Sequence, residues 1–147
     1  MRIIAGTAGS QPIKVPRNLT RPTTDRVREG LFSSLGEKVI EARVLDLFAG
    51  SGSLGIEALS RGAASATFVD SSEEACRIIS ENLRKTCLNG GKVQKRNIST
   101  FLSFSTTQKS FDLVFADPPY ARDEETAAQL EDLLKNAALQ RAISPVS

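Results

Sequence analysis

Arg43-Val44-Leu45-Asp46-Leu47-Phe48-Ala49-Gly50-Ser51-Gly52-Ser53-Leu54-Gly55 is the stretch that decides the fold. Its first half is mostly apolar and lacks polar alternation, as expected of a strand buried on both faces of a sheet. Its second half, Gly50 to Gly55, fits G-x-G-x-x-G, in which glycines turn the chain sharply and let backbone approach a nucleotide. A helix is expected from about Leu54 to Arg61, closed by Gly62. Strand, glycine loop and helix in that order form the opening unit of an open α/β sheet.

The same unit recurs outward from this point. Ala66-Thr67-Phe68-Val69 reads as a second strand ending at Asp70. Ser71 and Glu74 make a capping box for a helix that carries Ile79, Leu83 and Cys87 on one face and ends near Asn89-Gly90-Gly91. Val93-Gln94-Lys95 is a weak third strand, and a short helix is expected around Ile98 to Phe104. Phe111 to Ala116 is a fourth strand ending at Asp117, and a helix from Glu124 to Ala138 follows. Upstream, Ile3-Ile4 and Ile13-Lys14-Val15 flank a polar segment and suggest a small hairpin or arm. Thr24 or Asp25 caps a helix bearing Val27, Leu31, Phe32 and Leu35, which Gly36 stops. Alternation of strands and helices predicts a parallel, Rossmann-like α/β sheet with right-handed crossovers and helices on both faces. The chain reads as a single domain over 1–147, with 1–28 as a basic N-terminal arm and 29–147 as the nucleotide-binding core.

Three acids, Asp46, Asp70 and Asp117, fall at or near the carboxyl ends of predicted strands, where ligands of such sheets bind. Asp70 lies 20 residues past Gly50, where an acid can accept both ribose hydroxyls of an adenosine. Asp46 discriminates between cofactors. A carboxylate four residues before Gly50 repels a pyrophosphate but suits the cationic amino group and sulfonium of S-adenosylmethionine. Asp117-Pro118-Pro119-Tyr120 adds carbonyls and a carboxylate that accept bonds from an exocyclic amine, with a flat ring for a base to stack on. A nicotinamide-dependent oxidoreductase would explain the glycines and Asp70, but neither Asp46 nor this tetrapeptide.

Composition narrows the chemistry. The 147 residues include no histidine, which removes Ser-His and Cys-His hydrolase mechanisms. Cys76 and Cys87 alone build no zinc site, no metal is expected, and both thiols read as buried and inert. No apolar run approaches the ~20 residues of a membrane span, so the expected compartment is the cytoplasm. Residues 1–28 hold six basic residues against one acid, a local excess of +5, while the rest is near neutral at −3. Such an arm either meets a polyanion or is a solvated flank.

The glycine loop together with Asp-Pro-Pro-Tyr resembles the class I S-adenosylmethionine-dependent amino-methyltransferases. Leu19-Thr20-Arg21-Pro22-Thr23-Thr24-Asp25-Arg26-Val27-Arg28-Glu29, with Arg2-Ile3-Ile4-Ala5-Gly6 and Gly55 to Ala63, is similar to the bacterial 16S ribosomal RNA guanine-N2 methyltransferases of the RsmD type. This resemblance implies methyl transfer to the N2 amine of a guanine in small-subunit ribosomal RNA. It implies that Asp46, Phe48, Gly50, Ser51, Gly52 and Thr24 line the cofactor, Asp70 holds the ribose, and Asn97 meets the adenine. Asp117, Pro118, Pro119 and Tyr120 would hold the guanine. Arg21, Arg26, Arg28, Lys14 and Arg17 would contact RNA phosphates or fold over the cofactor. Relatives of this type continue through further strands, whereas this sequence ends at Ser147. A fourth strand left as an edge, with a dimer or a catalytically silent binding module as its consequence, is therefore an expectation to set beside the enzyme.

Overall fold

A computed structural model of the protein describes residues 1–17, 24–98, 100–101 and 111–116. In chain order these form α1 (Asp25–Leu35), a 3-10 turn (Gly36–Val39), β1 (Arg43–Leu47), α2 (Ser53–Ser60), β2 (Ser65–Asp70), α3 (Glu73–Thr86), β3 (Gly91–Lys95) and β4 (Leu113–Ala116). The four strands lie in the order β3-β2-β1-β4 and every pairing is parallel. This is the expected Rossmann-like α/β sheet, with β1 at its centre. Within the described residues β4 lies at one end of the sheet. The expected helix from Glu124 to Ala138 lies outside them.

The unbroken apolar runs have a direct cause: successive residues of one strand serve opposite faces. Val44, Ala66, Phe68, Leu113 and Phe115 join Phe32 of α1, Ile56 of α2 and Ile79 of α3 in one core. Leu45, Leu47, Val69 and Val114 join Ile98, Phe101 and Phe111 in a second core on the other face. A two-pronged contact sets the register of β4 on β1. Asp112 accepts from the Arg43 backbone N–H at 2.8 Å, from Nε at 3.1 Å and from Nη2 at 3.2 Å. These bonds to Arg43 hold the Asp112 carboxyl below its ordinary range.

The N-terminal segment is a hairpin, with an antiparallel bridge between Arg2 and Pro12. Ile3, Ala8 and Ile13 are buried in the first core. One buried carboxylate anchors the hairpin. Glu57 of α2, 0% exposed, accepts from the backbone N–H groups of Ile4 at 2.8 Å and Ala5 at 3.0 Å. It also pairs with Arg61 Nε at 2.8 Å and with Arg28 Nη1 at 3.4 Å. Ser60 adds a hydroxyl that accepts from the Ala8 N–H and donates to the Ala5 carbonyl. The approach is close enough that a Cβ at Gly6 would fall 1.9 Å from the Ser60 carbonyl oxygen.

Several expectations are corrected. The capping residue of α3 is Ser72, not Ser71 in a box with Glu74: the Ser72 hydroxyl accepts from the Ala75 N–H at 3.2 Å. Either of two adjacent serines could cap, and Ser72 is the one with extended backbone immediately before the first helical residue. Val27, expected on the buried face of α1, is 51% exposed. The helix is turned so that Arg28 and Phe32 point inward, because the Arg28 guanidinium reaches Glu57. The thiols are not both buried. Cys87 is exposed in the left-handed residue that ends α3. Cys76 is partly buried, and burial pushes its thiol up, with Asp70 adding to the effect.

Glu57→Ala would leave Arg28 buried without its anionic partner in α2. Urea unfolding of this variant should show a loss of about 3–5 kcal/mol, and the hairpin should become the first segment cut in limited proteolysis. A loss below about 1 kcal/mol, the scale of a surface pair, would contradict the role assigned to this carboxylate.

Candidate functional site

The glycine loop leaves β1 at its carboxyl end and turns into α2. Gly52 stands at the N-cap of α2 in the left-handed region, with φ +79°, where a side chain would be strained. It brings no side chain to cap the helix. Asp46 of β1 does so instead: its Oδ2 accepts from the Gly55 N–H at 3.0 Å, in the first turn of α2. Gly55 permits the helix to lie against β2, since a Cβ there would stand 2.3 Å from the Phe68 ring. Phe48 has φ +56° and packs against the second core, so its backbone is part of the turn.

Asp70 closes the loop from β2. Its Oδ2 accepts from the Gly50 N–H at 2.9 Å, and its Oδ1 accepts from the Ser72 N–H at 2.9 Å. A carboxylate has about four acceptor positions. These two bonds therefore fix Asp70 while leaving capacity on both oxygens for vicinal hydroxyls. Asn97 follows β3 at the same edge of the sheet, and its carbonyl accepts from the Phe101 N–H. Asp46, the glycine loop, Asp70 and Asn97 thus meet at the carboxyl ends of three neighbouring strands. Ala116, the last residue of β4, pairs with Leu47 at that edge. Asp117, Pro118, Pro119, Tyr120 and Arg21 lie outside the described residues.

Other expected site residues are placed differently. Ser51 is 2% exposed, and its hydroxyl accepts from the Ser53 N–H, so it braces the loop. Thr24 caps α1 by accepting from the Val27 N–H at 3.2 Å. Arg28, expected at an RNA surface, is 0% exposed, with Nη2 donating to Asp25 and to the Arg2 carbonyl at 2.6 Å each. An enclosed guanidinium with these partners cannot reach a phosphate, and it holds the Asp25 carboxyl below its ordinary range. Arg17 and Arg26 are exposed. Lys14 is exposed too, but its ammonium is paired with Glu81 at 3.2 Å.

Asn82 carries no mark in the sequence. It is fully buried in α3. Its amide donates to the Ser51 carbonyl at 3.1 Å and to the Lys14 carbonyl at 3.0 Å, and its carbonyl accepts from the Lys14 N–H at 2.8 Å. One side chain therefore ties the glycine loop to the basic segment. No local signal reveals it, because both partners are more than 30 residues away.

The site separates two classes of nucleotide fold. In a dinucleotide-binding domain the pyrophosphate sits at the N-terminus of the first helix. Here Asp46 already occupies an N–H of that first turn and sets a negative charge against the helix dipole. The fold and site are those of a Rossmann-like methyltransferase rather than of a nicotinamide-dependent oxidoreductase.

Comparison with known proteins leads to the same class. The chain belongs to the family described as "Conserved hypothetical protein 95", whose model matches residues 1–144. It is 42% identical over 135 residues to "Ribosomal RNA small subunit methyltransferase D" of Escherichia coli (strain K12), a match that covers 90% of this chain and 67% of that protein. The protein of the same name from Haemophilus influenzae (strain ATCC 51907 / DSM 11121 / KW20 / Rd) is 39% identical over 123 residues, covering 82% and 64%. Among solved structures, a hypothetical protein from a Thermus species superposes with a TM-score of 0.80 at 37% identity, covering 90% of this chain and 77% of that one.

Asn82→Leu removes both ties at similar volume and strands the Ser51 carbonyl and the Lys14 N–H. Stability should fall by about 1–3 kcal/mol, and S-adenosylhomocysteine affinity, measured by calorimetry on folded protein, should fall with it. Unchanged affinity would show that the loop holds its shape without Asn82.

Proposed function

We propose that this chain is an S-adenosylmethionine-dependent ribosomal RNA methyltransferase that acts on the exocyclic N2 amine of a guanine in 16S RNA. The observation that carries the reading is the occupied N-terminus of α2. Asp46 takes the place a pyrophosphate would need, while Asp70 keeps acceptor positions for a ribose. The relatives' names supply the substrate, and Asp117-Pro118-Pro119-Tyr120, directly after β4, supplies amine-binding chemistry.

Bound S-adenosylmethionine supplies a methyl group made electrophilic by its sulfonium. The work left to the protein is placement. Asp70 and the Gly50–Gly52 loop hold the nucleoside part, and the Asp46 charge beneath the loop favours a cationic ligand. A guanine amine is a weak nucleophile, because its lone pair is delocalised into the ring. The target base is flipped from its stack onto Tyr120, and Asp117 with the Pro118 carbonyl accepts the N–H bonds that orient the amine. Arg17, Arg21 and Arg26 meet RNA phosphates, with Lys14 contributing less because Glu81 compensates its charge.

Asp117→Ala separates cofactor binding from transfer. Calorimetry should give unchanged affinity for S-adenosylhomocysteine, while methyl transfer to unmodified 16S RNA should fall at least ~100-fold. Transfer at the parental rate would remove the amine-holding role. Absence of transfer in the parent protein as well would favour a binding module without catalysis.

A further inference from the structure

Residues 82–111 contain six basic residues, Arg84, Lys85, Lys92, Lys95, Arg96 and Lys109, and no acid. Among the described residues Arg84, Lys85, Lys92, Lys95 and Arg96 are all exposed. Among the described residues they differ in one respect from six of the nine other basic residues, Arg17, Arg26 and Lys38 being the remaining three. Arg2, Lys14, Arg28, Arg43, Arg61 and Arg77 each stand within 4.0 Å of a carboxylate, and among the described residues none of these five does. The fold places them along the β3 end of the sheet and the end of the helix beside it, with Lys92 and Lys95 on opposite faces of the strand. Arg84 and Lys85 end α3, Lys92 lies in β3, and Lys95 and Arg96 close β3 at the carboxyl edge. Lys95 is paired in register with Asp70.

Two simpler roles account for part of this set. Cations in the last turn of α3 complement its dipole, and a lysine on an edge strand discourages pairing with another sheet. Neither explains Lys95 and Arg96 beside the cofactor loop, nor the absence of any acid across the whole segment. Exposed cations without a carboxylate within 4.0 Å among the described residues remain open to a polyanion, whose binding releases counterions.

We propose that the α3–β3 flank, carried by Arg84, Lys85, Lys92, Lys95 and Arg96, is a second RNA-phosphate docking surface, distinct from the N-terminal basic segment. The inference rests on the RNA methyltransferase reading and extends it to where the substrate lies. β3 and β4 are three strand spacings apart, about 14 Å. A folded RNA can therefore touch this flank while its target base sits beyond the end of β4, crossing the carboxyl edge over the cofactor loop. The contacts are to phosphates, so they add affinity and register without reading sequence.

The test uses the full chain with Lys92→Gln, Lys95→Gln and Arg96→Gln combined, deproteinised 16S ribosomal RNA as probe, and a salt titration. Expected are a Kd raised ~10-fold or more near 0.1 M salt and a slope of log Kd against log salt shallower by about 1–3. S-adenosylhomocysteine affinity should be unchanged, which shows that fold and cofactor site are intact. An unchanged Kd and slope overturn the inference and leave the functional reading standing. So does a variant that self-associates while RNA binding is kept, since the cations would then only guard a sheet edge. Loss of polyglutamate binding with RNA binding retained would assign the flank to an acidic protein and overturn it too. Failure of the parent protein to bind either RNA or S-adenosylhomocysteine would overturn the functional reading as well.

Discussion

The Glu57 carboxylate is the constraint on which the arrangement of this protein depends. It lies in the helix that follows the glycine loop and is fully enclosed. Its four donors come from three parts of the chain: two hairpin N–H groups, Arg28 of α1 and Arg61 just past the end of α2. A buried charge is tolerable only when paired and hydrogen-bonded. The hairpin, α1 and α2 are therefore held in mutual position by a penalty against separating them. The hairpin and α1 flank the segment that contains Arg17 and Arg21, and Arg26 stands in the first turn of α1. A carboxylate remote from the chemistry thus fixes the start and end of the segment proposed to meet RNA.

The glycine loop is determined in the same way, by groups reaching it from neighbouring elements. Asp46 caps α2 from β1, Asp70 clamps Gly50 from β2, and Asn82 holds the Ser51 carbonyl from α3. The loop is thereby preformed, and little ordering should be needed when a nucleoside enters. The same bonds decide which nucleoside fits. Capping by Asp46 uses an N–H and puts a negative charge where a pyrophosphate would go, which leaves a site suited to a cationic, phosphate-free cofactor.

What is legible in the sequence is what local pattern encodes. The four strands, their parallel pairing and the glycine loop all follow from apolar runs, turn residues and alternation, and each falls within a few residues of its expected place. The placement of Asp46 and Asp70 is legible because strand ends in such a sheet share one edge. Long-range polar pairing is not legible. Arg28 looks like a surface charge because nothing near it in sequence shows that Glu57, 29 residues on, encloses it. That pairing also turns α1 and leaves Val27 exposed. Glu57 and Asn82 stand in plain view without a role, since a buried polar residue is recognised only by its partners. The contrast between paired and unpaired cations, from which the α3–β3 flank is argued, likewise needs coordinates.

In the proposed function a preformed cationic-nucleoside site serves transfer to an RNA amine. The most direct measurement is transfer of tritium from methyl-labelled S-adenosylmethionine to small ribosomal subunits isolated from cells lacking the modification, followed by mapping of the labelled nucleotide. Label is expected on the exocyclic amine of a single guanine of 16S RNA. Label confined to protein, to ribose or to a ring carbon, or no label with cofactor demonstrably bound, would contradict that function.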